Sequence, residues 1–242
     1  MNGGWGSSSQ SSNLSGLGID TLESVFAPYS QNHNMDGGFG GVQIGYNWQW
    51  GGSFKDVPSN WLFGIEADIQ GAGIKGSTAT SFSADSDDSN AASASSRLDW
   101  FGTLRGRLGY TASNALLYGT GGLAFGGVKN TLKVSGADGS DCVVGLNSAA
   151  CSASSTVNSE TTKTGYVLGG GIEYLFSPRW SVKAEYQYIN LGTVTQTASA
   201  IYTDTSDLNL PEGTSGAHRV SEQFNTVRIG LNYHVGGYEP LK

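Results

Sequence analysis

The chain is short of the materials that soluble enzymes and nucleic-acid-binding proteins are made from. Among 242 residues there are 13 Lys plus Arg, 3 His, 5 Pro and 2 Cys. With so few bases, none of them gathered into a stripe, no phosphate backbone can be neutralised, and nucleic acid is excluded as a partner. The histidines His33, His218 and His234 are far apart in the chain, so no catalytic or metal motif is written in neighbouring positions. Nowhere does an apolar run approach the roughly eighteen residues of a membrane-spanning helix. That last absence leaves strands untouched. A strand in a barrel turns only every second residue toward lipid, which is compatible with a mean hydropathy of -0.23.

Glycine is abundant, at 37 residues, charge is low at 14% and aromatics make up 11%, a mixture that suits β structure better than helix. The clearest element is the stretch from Lys163 to Leu191. Its two arms, joined by little more than Ser177-Pro178, read as one antiparallel hairpin. In the second arm Trp180, Val182, Ala184, Tyr186 and Tyr188 share one face, and Ser181, Lys183, Glu185 and Gln187 share the other. Both arms exceed an ordinary strand of about five or six residues and reach the roughly nine to eleven that cross a bilayer.

The same pattern recurs along the chain. Val42, Ile44, Tyr46, Trp48 and Trp50 alternate with Gln43, Gly45, Asn47 and Gln49; after a short connection at 51–60, Trp61, Phe63, Ile65, Ala67 and Ile69 alternate with Leu62, Gly64, Glu66, Asp68 and Gln70. Trp100, Leu104, Leu108 and Tyr110 oppose Asp99, Thr103, Arg105 and Arg107, and a turn at 111–114 leads to a fifth run whose phase the glycines Gly119, Gly121, Gly122, Gly126 and Gly127 blur. These glycines are not a phosphate loop, because no helical pattern follows them. The last run sets Val227, Ile229, Leu231, Tyr233 and Val235 against Arg228, Gly230, Asn232 and His234. The polar segments 75–96, 130–160 and 193–217 read as long loops, and much of the acid behind the net charge of -7 lies in them. One contains Cys142 and Cys151, which read as a disulfide closing a short loop in an oxidising compartment; two free thiols are the alternative.

Connections therefore alternate between long and short. This predicts an all-β fold: an eight-stranded antiparallel up-and-down transmembrane β-barrel, a single domain over 1–235, with four long outer loops, three short periplasmic turns and a periplasmic tail at 236–242. Trp48, Trp61, Tyr110, Tyr174, Phe176, Trp180 and Tyr233 all fall near the short-turn end, as an interface girdle would. Asn2-Gly3-Gly4-Trp5-Gly6 reads as the tail end of a strand, and no secretory signal precedes it, so either one has been removed or the chain starts late. Glu66, Asp68, Asp99, Arg105, Arg107, Glu173, Lys183, Glu185 and Arg228 point into the lumen, where charges of nearly balanced sign are expected to pair into a plug; a proton or ion path is the alternative.

Together the stretches GFGGVQIGYNWQW (38–50), WLFGIEADIQG (61–71), LDWFGTLRGRLGYTASNALLYGTGGLAFGG (98–127), 165–192 and NTVRIGLNY (225–233) resemble the small outer-membrane β-barrels of alphaproteobacteria, the 25 and 31 kDa outer-membrane protein family of Brucella and its relatives. The resemblance implies a bacterial outer-membrane location, lipid and lipopolysaccharide as neighbours, and insertion by the barrel-assembly machinery. That machinery would have to read Tyr233 despite the residues after it. The resemblance also implies a longer first strand after a cleaved signal peptide, so that the first strand here is expected to be truncated, its precursor longer, and closure against the last strand the open point. The implied role is a structural, surface-exposed envelope protein without cofactor or catalytic residues. Haem binding or adhesion is the second reading, with His33, His218, Tyr29 and Tyr202 as candidates. A small pore or lipid-modifying enzyme is the third; His218, Ser221 and Glu222 match no esterase motif.

Overall fold

In a computed structural model of the chain, described at residues 1–17, 29–49, 60–82, 89–138, 151–203 and 211–235, alternation of side chains carries through eight strands. They are β1 (Asn2–Leu17), β2 (Tyr29–Gln49), β3 (Trp61–Phe82), β4 (Ser89–Ala112), β5 (Ala115–Asp138), β6 (Cys151–Ser177), β7 (Trp180–Thr203) and β8 (Pro211–Tyr233). Each pairs antiparallel with its neighbours in chain order, and β1 pairs with β8 to close the ring. Met1 completes the seam: its amino group donates to the Leu231 carbonyl at 2.9 Å, and the Leu231 amide donates back at 2.8 Å. The shortness of the first strand thus does not prevent closure. Asn2 faces Gly41 of β2 and Gly230 of β8, and Val42 to Gln49 of β2 run on beside β3 alone.

Outward residues form an apolar belt that includes Ile44, Ile65, Leu104, Leu117, Leu123, Leu168, Ile172 and Ile229, each at least half exposed. Such a continuous belt on a closed barrel fits hydrocarbon rather than water. Trp48, Tyr110, Tyr174, Phe176, Trp180 and Tyr233 are exposed at the short-turn end with Trp61 half-buried beside them, and Trp61–Tyr110 and Trp180–Tyr233 pack edge to face. The far edge of the belt carries Trp5, Trp100, Phe125, Tyr166 and Tyr188.

The strands, at 16 to 27 residues, are much longer than a bilayer requires, and this corrects the reading of 75–96, 130–160 and 193–217 as loops. β3 runs to Phe82 before β4 starts at Ser89, β5 to Asp138 before Cys151, and β7 to Thr203 before Pro211. Backbone pairing is indifferent to side-chain polarity, so a ladder established by the apolar belt extends through Ser, Thr and Ala. The polar stretch also alternates: Ala92, Ala94, Ser96 and Leu98 turn inward and are buried.

Two irregularities reset the phase at the outer edge of the belt. An extra residue in β4 at Asp99 lets both Leu98 and Phe101 face the lumen, and one in β7 at Gly192, whose φ of +82° suits glycine, follows the inward Leu191 and turns Thr193 outward. Asp99 is therefore not a lumen residue; it pairs with Arg97 and Lys129 on the outer surface. Strict alternation from Trp100 gave the wrong side because a bulge breaks it. Two tight turns are also displaced slightly: Ser113-Asn114 joins β4 to β5, with Ser113 left-handed at φ 53°, and Pro178-Arg179, not Ser177-Pro178, joins β6 to β7. The first short turn, the tail at 236–242 and Cys142 lie outside the described residues, as does the Cys151 side chain, and with them the disulfide.

Two outcomes test this architecture. Folded protein in detergent should migrate differently on a gel before and after boiling, and identical mobility would rule out the closed barrel. A Cβ on Gly122 would stand 2.1 Å from the Leu104 carbonyl and 2.7 Å from the Arg105 Cα, so Gly122→Leu should destabilise by about 1–3 kcal/mol. The readout is a lower temperature for the change in mobility.

Candidate functional site

The lumen is built in two layers. In the half toward the short turns, alternate positions of β3, β4, β6, β7 and β8 deliver Glu66, Asp68, Arg105, Arg107, Glu173, Lys183, Glu185 and Arg228, all buried. The ring brings all eight into one network. Arg105 is its hub: its guanidinium pairs with Glu185, with Asp68 at 2.9 Å and with Glu66 at 3.1 Å. Arg228 bridges the same Glu185 at 2.7 Å and Asp68 at 3.3 Å. Lys183 joins Glu66 at 2.5 Å and Glu185 at 3.4 Å, and Arg107 ties in Glu173. Four cations, Arg105, Arg107, Lys183 and Arg228, meet four acids, Glu66, Asp68, Glu173 and Glu185, so the layer is neutral.

Cross-strand register explains the convergence. Glu66 lies opposite Arg105, Glu173 opposite Lys183 and Glu185 opposite Arg228. Directly opposed residues share a face, so each pairing places opposite charges side by side. Uncharged groups fill the remaining sites: Thr103 donates to Asp68 at 2.6 Å, Gln70 donates to it at 3.3 Å, and Gln187 donates to Glu185.

Tyr118 is the member that sequence reasoning missed. Its hydroxyl donates to Glu185 at 2.6 Å, and the Arg107 guanidinium lies 3.8 Å above its ring. The glycines of β5 hid its phase, yet the tight turn held the signal. A two-residue turn at Ser113-Asn114 sets Tyr118 against Gly109, which shares its face with Arg105 and Arg107.

At the short-turn mouth Ser181 donates to Glu173 and lies 2.9 Å from His234 Nε2, while Glu173 is 3.5 Å from that same nitrogen and accepts from Asn232 at 2.8 Å. The serine hydrogen thus goes to the carboxylate, and the serine and the acid both meet one ring nitrogen. A nucleophile relay needs serine and acid on opposite ring nitrogens. Of the other candidates, Ser221 and Glu222 face opposite sides of β8, and the side chains of His33, His218, Tyr29 and Tyr202 lie outside those described.

Above the charged layer the lumen turns apolar. Phe101 packs edge to face against Phe39 and Phe224, with centroids 5.2 and 5.5 Å apart, and Met35, Ile74, Leu98, Val128, Val167, Ile189 and Leu191 complete the cluster. Removing one partner from the layer below leaves buried charge uncompensated, at about 3–5 kcal/mol. Arg105→Met should therefore lower stability by about that amount in denaturant titration of the refolded barrel, whereas Tyr118→Phe, which loses one hydrogen bond to a charged group, should cost about 1.5–3 kcal/mol. Equal stability of Arg105→Met and the parent would show that the pairs carry no weight.

The model of the outer membrane protein β-barrel domain matches residues 2–234. The 31 kDa outer-membrane immunogenic protein of Brucella melitensis is 37% identical over 199 residues, 81% of this chain and 66% of that protein, just under two thirds of its length. The 22 kDa outer membrane protein of Rhizobium leguminosarum is 30% identical over 152 residues, covering 62% of this chain and 52% of its own. Among solved structures, the outer membrane protein OprG of Pseudomonas aeruginosa is similar over 97% of this chain and 96% of its own, at 12% identity and a TM-score of 0.31. The closed ring, the apolar belt and the match over nearly the whole chain lead to one conclusion: this chain belongs to the outer membrane protein β-barrel family, alongside alphaproteobacterial relatives, and is a surface-exposed protein of the Gram-negative outer membrane.

Proposed function

We propose that the protein is a structural component of the envelope: a barrel with a closed lumen that anchors surface loops rather than conducting solutes or catalysing a reaction. The observation that carries this reading is the stacking of two dissimilar layers in one narrow bore. An eight-stranded barrel is only wide enough for its own side chains, and here a neutral ion-pair layer lies beneath an aromatic and aliphatic layer. A hydrated solute would have to break the salt bridges of the first and wet the second, and a relay of protons from the charged groups meets the Phe39–Phe101–Phe224 stack. The Ser181, Glu173 and His234 cluster supports no acyl transfer, for the geometric reason given above. Insertion through the barrel-assembly machinery, residence among lipopolysaccharide and absence of a cofactor belong to the same reading.

Planar-bilayer recording of refolded protein tests it directly. The parent should show no unitary conductance, while a variant carrying Phe101→Ala, Phe39→Ala and Arg105→Ala, if it still folds by gel mobility, should leak. Stable open channels in the parent would overturn the proposal. A Soret shift on addition of haem would favour a ligand-binding role instead.

A further inference from the structure

The half of the wall away from the short turns carries a slit. β6 and β7 pair antiparallel from their turn up to Tyr166 and Asn190, and there the ladder between them stops. Each strand nevertheless runs on with its other neighbour: β6 stays paired with β5 as far as Cys151, and β7 stays paired with β8 as far as Thr203. Residues 151–165 of β6 and 191–203 of β7 are therefore two facing open edges, each on the order of 40 Å long at the rise of a strand. Both stand beyond Tyr166 and Tyr188, at the far edge of the apolar belt.

The local sequence explains where the split begins. Gly192 inserts an extra residue into β7 at a φ of +82°, and a bulged strand bends out of line with its neighbour. The last contact below it is close: a Cβ on Gly165 would stand 1.8 Å from the Asn190 carbonyl oxygen. Above it a side chain crosses the slit, Lys163 Nζ donating to the Thr193 carbonyl at 3.4 Å. That bond also gives the direction of the edge. Thr193 turns its carbonyl toward β6, and along a regular strand the N–H and C=O of every second residue point the same way, so Thr195 and Thr197 offer theirs to the slit while the residues between serve β8.

The β7 edge is undefended. Open edges are ordinarily blunted by charge or proline, yet 191–203 contains neither and is rich in threonine, which favours strands. In 151–165 the charged residues are already engaged: Glu160 pairs with Lys129 of β5, and Lys163 reaches Thr193.

Direction decides what fits. Because β6 and β7 run opposite ways, a single extended peptide laid in the slit would be antiparallel to one edge and parallel to the other. A second copy of the chain meets no such conflict. With a two-fold axis along the membrane normal, two upright barrels face slit to slit and β6 of each lies beside β7 of the other. Both contacts are then antiparallel, and both join the edges that already pair with each other lower in the wall. We infer that the protein self-associates through this slit, 151–165 of one copy pairing with 191–203 of the other, twice, so that one continuous wall stands above two barrels that stay separate in the membrane. The dimer fills backbone hydrogen-bonding positions that have no strand beside them in the single chain.

Mixed cross-linking of the refolded full chain in detergent tests the arrangement. Thr162 and Thr195 are exposed on the two facing edges. With Cys142→Ser and Cys151→Ser in every copy, Thr162→Cys in one tagged copy and Thr195→Cys in another should oxidise to a dimer that survives boiling without reductant, whereas either variant alone should give far less. A chain carrying both cysteines should also cross-link as a dimer. If it instead stays monomeric and loses its free thiols, the slit zips onto itself and the inference fails; it fails equally if the mixed copies give no dimer. Thr195→Pro removes an edge N–H and spares the β7–β8 ladder, so it should raise the dimer dissociation constant, read by native mass spectrometry, on the order of tenfold. An unchanged constant in a variant that still shifts on the heat-mobility gel overturns the assignment, and should that variant not fold, the mixed cross-link decides alone.

Discussion

Every backbone donor and acceptor within the hydrocarbon must find a partner in the protein, because lipid supplies none. A sheet approaches that requirement by closing, and closure here comes down to β1 lying between β2 and β8, with Met1 completing the contact to Leu231, while Val42 to Gln49 of β2 pair with β3 alone. From that single condition the rest follows. Closing eight strands makes a bore that side chains fill, so whatever points inward is removed from water whether it is polar or not. Arg105, Lys183 and Arg228 are buried for this reason, and burial forces them onto Glu66, Asp68 and Glu185.

The two layers of the bore solve the same filling problem by opposite chemistry. Paired charges are directional and give the lower layer a defined arrangement, with Arg105 reaching three acids and Tyr118 joining Glu185 to Arg107. The upper layer, around Phe101, needs only volume and shape. The phase change in β4 and β7 is what permits the succession. By inserting Asp99, β4 turns Leu98 inward above the membrane, while Gly192 turns Thr193 of β7 outward after the inward Leu191, and Asp99 becomes available to Arg97 and Lys129 on the outer surface. One extra residue thus contributes both to the apolar layer and to the charged row outside.

Much of this was legible before any coordinates. Alternation in 163–191 and its counterparts gives strands, the spacing of short and long connections gives the ring, and the phase of each run gives Glu66, Asp68, Arg105, Arg107, Glu173, Lys183, Glu185 and Arg228 as inward residues. What escaped did so where periodicity is silent or broken. Tyr118 sits in a run whose glycines have no side chain to mark a face, and Asp99 sits on a bulge, which shifts phase without leaving a mark in composition. The Ser- and Ala-rich extensions were invisible as strands because their order comes from pairing with neighbours rather than from side-chain burial.

By itself, then, the sequence determined which residues face lipid and which face the bore over the apolar belt, the glycine-rich β5 excepted, because a period of two follows from the pleat of any strand. Only the tertiary structure decided who meets whom. The stagger of eight strands around a ring brings Arg105 to Glu185 and Arg228 to Asp68, and sets Lys75, Arg97 and Lys129 in one row. Those neighbours are far apart in the chain, and register across a closed sheet is a property of the whole ring rather than of any one strand.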